Sequence, residues 1–221
     1  MANASTSIFV VFEGIDGTGK TTQVELLRDA LERAGESPLI SREPTEGPWG
    51  KLIRESAATG RLSPEQELNA FLQDRTEHVE KLIRPALEQG KIVILDRYFY
   101  SSIAHQGARR GNSEEIRRLM ESLFPVPDLV LILDADPSVG VHRIAHSRGA
   151  RPDHFESRED LARVRAIFQS IAGPSIHHLN ADVAVADLHR RVVELLVAGP
   201  IQAKGRSELA VRLREQIAAR R

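Results

Sequence analysis

Short, wholly apolar runs alternate along the chain with longer stretches whose apolar positions recur every three or four residues. Residues 8–12 (Ile-Phe-Val-Val-Phe) are apolar throughout rather than at every second position, which predicts a strand buried on both faces. Residues 92–95 and 129–133 have the same character, and 37–41 and 175–179 supply a second and a fifth strand. Helical spacing marks 23–34, with Val24, Leu27 and Leu31 on one face and Gly35 placed to end it. The same spacing predicts helices at 49–56, 113–123, 138–146, 161–172 and 183–197. Residues 64–89 read as one long helix carrying Leu68, Phe71, Leu72, His78, Val79 and Leu82, which Pro85 should bend or end before Gly90 closes it. Residues 101–111 read as a polar, glycine-punctuated segment, and Gly199-Pro200 as a break. At the start of the 113–123 helix, Ser113-x-x-Ile116 matches a capping box only in its first residue.

Strands alternating with helices five times over predict an α/β fold, a five-stranded parallel sheet with helices on both faces. It forms a single domain over residues 1–200. The charged stretch at about 147–157, with Gly149 and Pro152, reads as a lid over that domain. Residues 201–221 form a C-terminal extension of no assigned role. Its weak period of Leu209, Leu213 and Ile217 fits either a packed terminal helix or a frayed tail, with its polarity favouring the tail.

Composition narrows the class of function. Lys and Arg number 30 against 31 Asp and Glu, a balance that gives no reason to expect a nucleic-acid polymer or an anionic membrane as partner. The absence of cysteine excludes disulfides, thiolate metal sites and a cysteine nucleophile. Residues 1–7 lack the basic end and apolar core of a signal peptide, and no apolar run approaches transmembrane length, so the expected setting is the cytoplasm.

The chemistry starts at Gly14-Ile15-Asp16-Gly17-Thr18-Gly19-Lys20-Thr21, which fits the Walker A pattern between a predicted strand and a predicted helix. Glycines there let backbone N–H groups curl inward onto phosphate oxygens, and the helix that opens at Thr22 points its positive end at the same place. Lys20 would neutralise the β- and γ-phosphates and the Thr21 hydroxyl could hold Mg2+.

Asp96 ends a central apolar strand beside this loop, where a carboxylate can bind Mg2+ directly or through water, with Arg97 next to it for a second phosphate. Asp134 ends another such strand and is its rival. The Arg42-Glu43-Pro44 loop also follows a strand, where ligands bind in open α/β sheets. His142 and His146 are four apart, but no third ligand stands at motif spacing, so exposed helix histidines are the better account. His177 and His178 point to opposite faces of a strand and cannot form one site.

No N-K-x-D motif is present, which counts against a GTPase switch, although Leu131-Ile132-Leu133-Asp134 could pass for a Walker B strand. Arg42, Arg75, Arg97 and Arg110 could surround a second anionic pocket, while Arg143, Arg148 and Arg151 gather at the lid. Two arginine groups flanking one phosphate loop suit a kinase of small molecules, because phosphoryl transfer mainly needs alignment and charge neutralisation. A kinase of the same fold with another acceptor and a nucleotide-binding regulatory module are the alternatives.

The ordered series Phe12-Glu13-Gly14 through Thr22, Arg42-Glu43-Pro44, Phe71-Leu72-Gln73-Asp74-Arg75, Asp96-Arg97-Tyr98 with Ser101, Gln106-Gly107, and Leu133-Asp134 with Pro137 resembles the thymidylate kinase family. It spans residues 8–197. The resemblance implies a P-loop kinase fold, ATP and dTMP as substrates, Mg2+ as cofactor and a homodimer. It implies that the P-loop and Thr22 bind ATP, with Arg143 against the adenine. Asp16 would approach the acceptor's 3′-hydroxyl, Phe71 would stack on its base, and Arg75 would hydrogen-bond that base with Gln106 nearby. Glu43 and Pro44 would belong to the acceptor site, Arg97 would bind the acceptor phosphate, and Asp96 and Thr21 would place Mg2+. Thr18 stands where some relatives have a catalytic arginine nearby, so the transition-state cation would come from Arg148 and Arg151. Three positions depart from the family pattern: His105 and Phe168 stand where tyrosines are common, and His154 where an arginine is common. His105 bears on the choice between deoxyribose and ribose.

Overall fold

A computed structural model describes residues 6–136 and 158–219. Its sheet is built from β1 (Ile8–Glu13), β2 (Leu39–Arg42), β3 (Ile92–Asp96), β4 (Leu129–Asp134) and β5 (Ile176–Asn180), in the order β2-β3-β1-β4-β5 with every pairing parallel. This is the sheet that the apolar runs predict. Successive side chains of a strand face opposite ways, so β1 serves two cores. Ile8, Val10 and Phe12 pack with Val24, Leu27 and Leu31 of α1 (Lys20–Arg33), and Phe9 and Val11 pack on the other face. All six residues of β1 are buried.

The second face is covered by α5 (Phe99–Arg110), α6 (Ser113–Leu123) and α7 (Arg158–Ser170), together with the end of a long helical rod. That rod follows α2 (Pro48–Thr59) and runs as α3 (Pro64–His78), a π-helical turn at Val79–Ile83, and α4 (Arg84–Glu88). Ser63 caps it with a complete capping box, its hydroxyl accepting from Gln66 N while the Gln66 side chain accepts from Ser63 N. Pro85 does not end the rod, which continues through it to Glu88. A π turn, Val79–Ile83, stands just before Pro85, where a proline ring crowds the carbonyl four residues back. Gly199-Pro200 is handled alike: α8 (Val185–Leu196) continues into a π turn at Val197–Ile201 that contains Pro200, where the sequence predicts a break.

Three further expectations are corrected. Residues 101–110 belong to α5, a helix with Ile103, Ala104, Gln106 and Gly107 buried, and Gly111 caps it. Gly107 does not interrupt it; a Cβ there would lie 2.8 Å from Ser113 Cβ, so its glycine lets α5 and α6 approach closely. The cap of α6 is Asn112, whose side chain accepts from Glu115 N, and not Ser113. The extension is a packed helix, α9 (Ser207–Ala218), and not a frayed tail. Leu209 and Leu213 are buried against the α1 face of the core, Arg206 pairs with Glu36 at 2.6 Å, and Gln216 Nε2 donates to Ala30 O at 3.1 Å. The predicted helix at 138–146 and the lid at 147–157 lie outside the described residues. No helix among the described residues is long and apolar enough to cross a membrane.

Candidate active site

The sheet order sets the site. The carboxyl ends of β3, β1 and β4 lie side by side, where ligands bind in open α/β sheets. The loop leaving β1 turns on three glycines in left-handed backbone, Gly14, Gly17 and Gly19 (φ 132, 79 and 89°). Gly14 is required twice over, because a Cβ there would meet Leu133 O at 2.3 Å. Between the glycines, the buried Thr18 hydroxyl donates to Ile15 O at 2.9 Å and pins the loop's curl. Lys20 opens α1 with its chain folded back over the loop. Its Nζ donates to Gly14 O at 3.0 Å and Ile15 O at 2.8 Å and lies 3.9 Å from Asp16. Burial pulls the Lys20 ammonium down to about 8, with Arg97 adding to the shift.

Thr21 and Thr22 follow on exposed positions of α1, and the Thr21 hydroxyl donates to Asp96 Oδ2 at 2.5 Å. These are hard oxygen donors on an exposed flank of the loop. They suit Mg2+, which takes few protein ligands beside water and phosphate oxygens. Asp134, the rival carboxylate, is occupied elsewhere. Arg165 grips both its oxygens (2.6 and 3.0 Å) and Gln169 donates at 2.9 Å. Partial burial opposes ionisation of Asp134, but those hydrogen bonds outweigh it and hold the carboxyl below its usual range.

Arg97 is the cation that faces the phosphate loop. It is the only non-glycine in left-handed backbone among the described residues (φ 71°), and its N–H donates to Phe12 O at 2.9 Å. One end of its guanidinium donates to Asp16 Oδ1 at 2.6 Å, the other to Ser101 Oγ at 2.9 Å. The Arg97 charge holds the Asp16 carboxyl well below the usual carboxylate range. His105 stands on α5 near this cluster. Burial, then the charge of Arg97, drives its imidazole down to about 3. Its ring meets Phe168 edge-on, with centroids 6.1 Å apart, so two of the positions that depart from the family pattern touch each other.

The remaining acceptor candidates line the path from β2 to α3. The Glu43–Pro44 peptide is cis, and Glu43 is buried with its N–H donating to Asp96 O at 3.1 Å. Arg75 is 1% exposed and committed to this carboxylate. Its Nε donates to Glu43 at 2.8 Å, NH2 lies 2.7 Å from Glu43 and donates to Ser102 Oγ at 3.2 Å, and NH1 meets the weak acceptor Met120 Sδ at 3.2 Å. The NH1 edge is therefore the part of Arg75 that a ligand could use. Tyr98 and Phe124 flank the guanidinium, with ring centroids 5.5 and 5.6 Å away. Phe71, one turn before Arg75 on α3, is half-buried. Gln106 is buried and donates to Glu67 at 2.9 Å, while its own Oε1 has no partner among the described residues.

Sequence reasoning gathers Arg42 and Arg110 to the same pocket; the structure sets Arg42 in register with Asp96 at the end of β2 and Arg110 at the far end of α5. Arg42 is largely exposed and paired with Glu46, while Arg110 pairs with Glu65. Arg110 ends a helix that begins beside Arg97, and twelve residues of helix put about 18 Å between the two ends. Arg143, Arg148, Arg151, His142, His146 and His154 lie outside the described residues. His177 and His178 are not joined by a third ligand, and the described residues hold no group of three metal-ligating side chains of the His, Cys, Asp and Glu kind. The residue that sequence reasoning missed is Glu13. It is quoted within the family motif but given no role, because its place at the end of an apolar strand offers no signal beyond its charge. It is fully buried, and its carboxylate accepts from Tyr98 N, Ser101 N and Ser101 Oγ.

Comparison with known proteins agrees with the fold and gives the family. A family model described as thymidylate kinase matches residues 12–192. The thymidylate kinase of Xanthomonas campestris pv. campestris strain B100 is 46% identical over 191 residues, covering 86% of this chain and 83% of that one. That of Akkermansia muciniphila is 47% identical over 187 residues, covering 85% and 90%. The crystal structure of thymidylate kinase from Ehrlichia chaffeensis superposes with a TM-score of 0.68 at 32% identity, over 86% of this chain and 98% of that one.

Proposed function

The chain belongs to the thymidylate kinase family, and from that premise we propose that it transfers the γ-phosphoryl group of ATP to dTMP, giving dTDP. The observation that carries the reading is the convergence of Lys20, Thr21, Asp96 and Arg97 on the phosphate loop at the ends of two adjacent strands.

In this reading, the N–H groups of residues 14–19 and the start of α1 cradle the ATP phosphates, with Thr22 beside them. Lys20 gives up its carbonyl contacts to meet the β- and γ-oxygens. Thr21 and Asp96 would hold Mg2+, which would supply positive charge against the charge that develops on the transferred group. Arg97 aligns the acceptor phosphate for in-line attack, fixed at one end by Asp16 and at the other by Ser101. Asp16 reaches the acceptor sugar, Phe71 stacks on its base, and the NH1 edge of Arg75 reads that base with Gln106. Glu43 and Pro44 shape the pocket through Arg75. His105, uncharged, packs against the sugar with Phe168. Arg143 lies against the adenine, and Arg148 and Arg151 supply the transition-state cation from a lid at 147–157; these three roles rest on sequence resemblance. The kinase domain is taken as residues 1–200 with α9 added to it. A homodimer and a cytoplasmic setting belong to the same reading.

The test is ADP release from ATP and Mg2+ with dTMP, dUMP, ribose TMP, dCMP, AMP and thymidine as acceptors. Preference for dTMP is expected. Preference for another acceptor would keep the phosphate chemistry and reassign Phe71, Arg75 and Gln106. No acceptor-dependent release at all would turn the reading to a nucleotide-binding module.

A further inference from the structure

We infer that Glu13 is a positioning residue for acceptor phosphorylation, acting through the Ser101 hydroxyl to fix the Arg97 guanidinium. The inference rests on the kinase reading above for its functional consequence, and on the geometry of one buried carboxylate for its mechanism.

Glu13 is the last residue of β1 and is fully buried. Its Oε1 accepts from Tyr98 N at 2.8 Å and Ser101 N at 3.2 Å, so a strand residue caps the N-terminus of α5 from outside that helix. Tyr98, the cap residue of α5, makes no side-chain cap bond of its own. Glu13 Oε2 accepts from Ser101 Oγ at 2.6 Å. That bond spends the hydroxyl's single proton, so its lone pairs can turn only toward a donor, and Arg97 NH1 is that donor at 2.9 Å. The carboxylate thus dictates the polarity of the relay.

The backbone is bracketed as well. Arg97 sits in a left-handed conformation that costs a non-glycine residue of order 1 kcal/mol. Phe12 O holds its N–H on one side, and Glu13, the next residue, holds Tyr98 N on the other. Two consecutive residues of β1 therefore clamp both sides of Arg97. Burial raises the Glu13 carboxyl to about 7, against the lowering pull of Ser101, Arg97 and Lys20, and Tyr100 also lies within its field. A group that burial disfavours contributes little as a mere filler of the core, whereas an amide of the same shape would avoid that cost.

Glu13→Gln and Ser101→Ala break the relay at different atoms. The amide of Glu13→Gln can accept through one oxygen for the backbone N–H groups, but its nitrogen donates to Ser101 and competes with Arg97. The Ser101→Ala change leaves both backbone bonds to Glu13 in place. In the full-length protein, each is expected to lower kcat/KM for dTMP by about tenfold or more, the effect of losing a hydrogen bond to a charged group. The double variant should be no worse than the worse single one, and KM for ATP should stay within about twofold. The melting temperature of Glu13→Gln should not fall. The side-chain N–H resonances of Arg97 in isotope-labelled protein should shift or broaden in both variants. Additive losses, losses that follow a lowered melting temperature, unchanged dTMP kinetics in Ser101→Ala, or unmoved Arg97 resonances would each overturn the relay. If the wild type phosphorylated another acceptor while the Arg97 resonances moved as expected, the dTMP reading would fall and the relay would stand.

Discussion

The Thr21 hydroxyl and the Asp96 carboxylate meet at 2.5 Å, although 75 residues separate them in the chain. The contact joins the first turn of the helix after the phosphate loop to the end of the neighbouring strand. It also sets Asp96 apart from the other strand-end carboxylate, Asp134, which is held instead by Arg165 and Gln169.

Asp96→Ala is therefore expected to lower kcat by roughly a hundredfold or more, as loss of charge stabilisation at a transferred group does. Asp134→Ala should leave kcat within a few-fold and cost about 1 kcal/mol of stability, since its ion pair is partly exposed. Steady-state kinetics and urea unfolding of both variants check this. The reverse order of kcat losses would move the metal site to β4.

Arg97 and Arg110 make a second contrast. Arg97→Ala should lower kcat/KM for dTMP by about two to three orders of magnitude. Arg110→Ala, at the far end of α5, should change it by less than about twofold, since surface ion pairs such as its contact with Glu65 contribute little. Equal losses would mean that the acceptor phosphate reaches along α5 toward its C-terminus.

On the ATP side the pH dependence should come from Lys20, while Glu13, its carboxyl raised by burial to about 7, should loosen the relay to Arg97 as pH falls through about 7. The Lys20 ammonium is charged below about 8 and loses its proton above that, so kcat/KM for ATP should fall as pH rises through about 8. His105, held near 3, is neutral from pH 5 upward and should contribute no limb near its ordinary value of 6.5. A rise in kcat/KM through pH 6–7 that disappeared in His105→Phe would contradict that assignment.

Arg75→Ala should act on stability before activity. It leaves the Glu43 carboxylate buried without its guanidinium, at a cost of about 3–5 kcal/mol. His78 Nδ1, 3.1 Å from Glu43, remains as its one close ring partner. Chemical denaturation measures the loss. A fully stable variant with raised KM for dTMP would show that Arg75 serves the ligand alone.

Leu213 is fully buried between α9 and the α1 face of the core, so Leu213→Ala should cost about 3 kcal/mol while leaving kcat at 25 °C unchanged. A loss much smaller than this would mean that α9 is dispensable packing.

The strands and the phosphate loop were legible because both obey local rules. A buried parallel strand is apolar at every position, and a left-handed loop needs glycine at fixed spacing. Asp96 was legible for the same reason, as a carboxylate ending such a strand. The misses share a different cause. Whether Gly107 ends a helix or seats one depends on Ser113, which only the folded chain brings near. Whether Pro85 breaks a rod depends on the turn before it opening to a wider pitch. The tail's polarity favours a frayed end, yet Leu209 and Leu213 enter a core that α1 and α8 already form. Arg110 looked like a neighbour of Arg97 because the sequence around it was read as loop, and a helix between them sets the distance. Glu13 ends an apolar strand just as Asp96 does, but its role shows only where Tyr98 and Ser101, which follow β3, meet it in the fold.

The strand order has a consequence for anyone wishing to redirect the enzyme. The groups assigned to phosphate handling hang from β1 and β3, two inner strands whose neighbours leave no slack. Glu43, by contrast, follows the border strand β2, which has a partner on one side only. Libraries aimed at new acceptors are best confined to that border and to the half-buried flank of α3 around Phe71, sparing the buried Arg75–Glu43 pair. Substitutions planted in β1 would instead be felt at once in every reaction the protein could run.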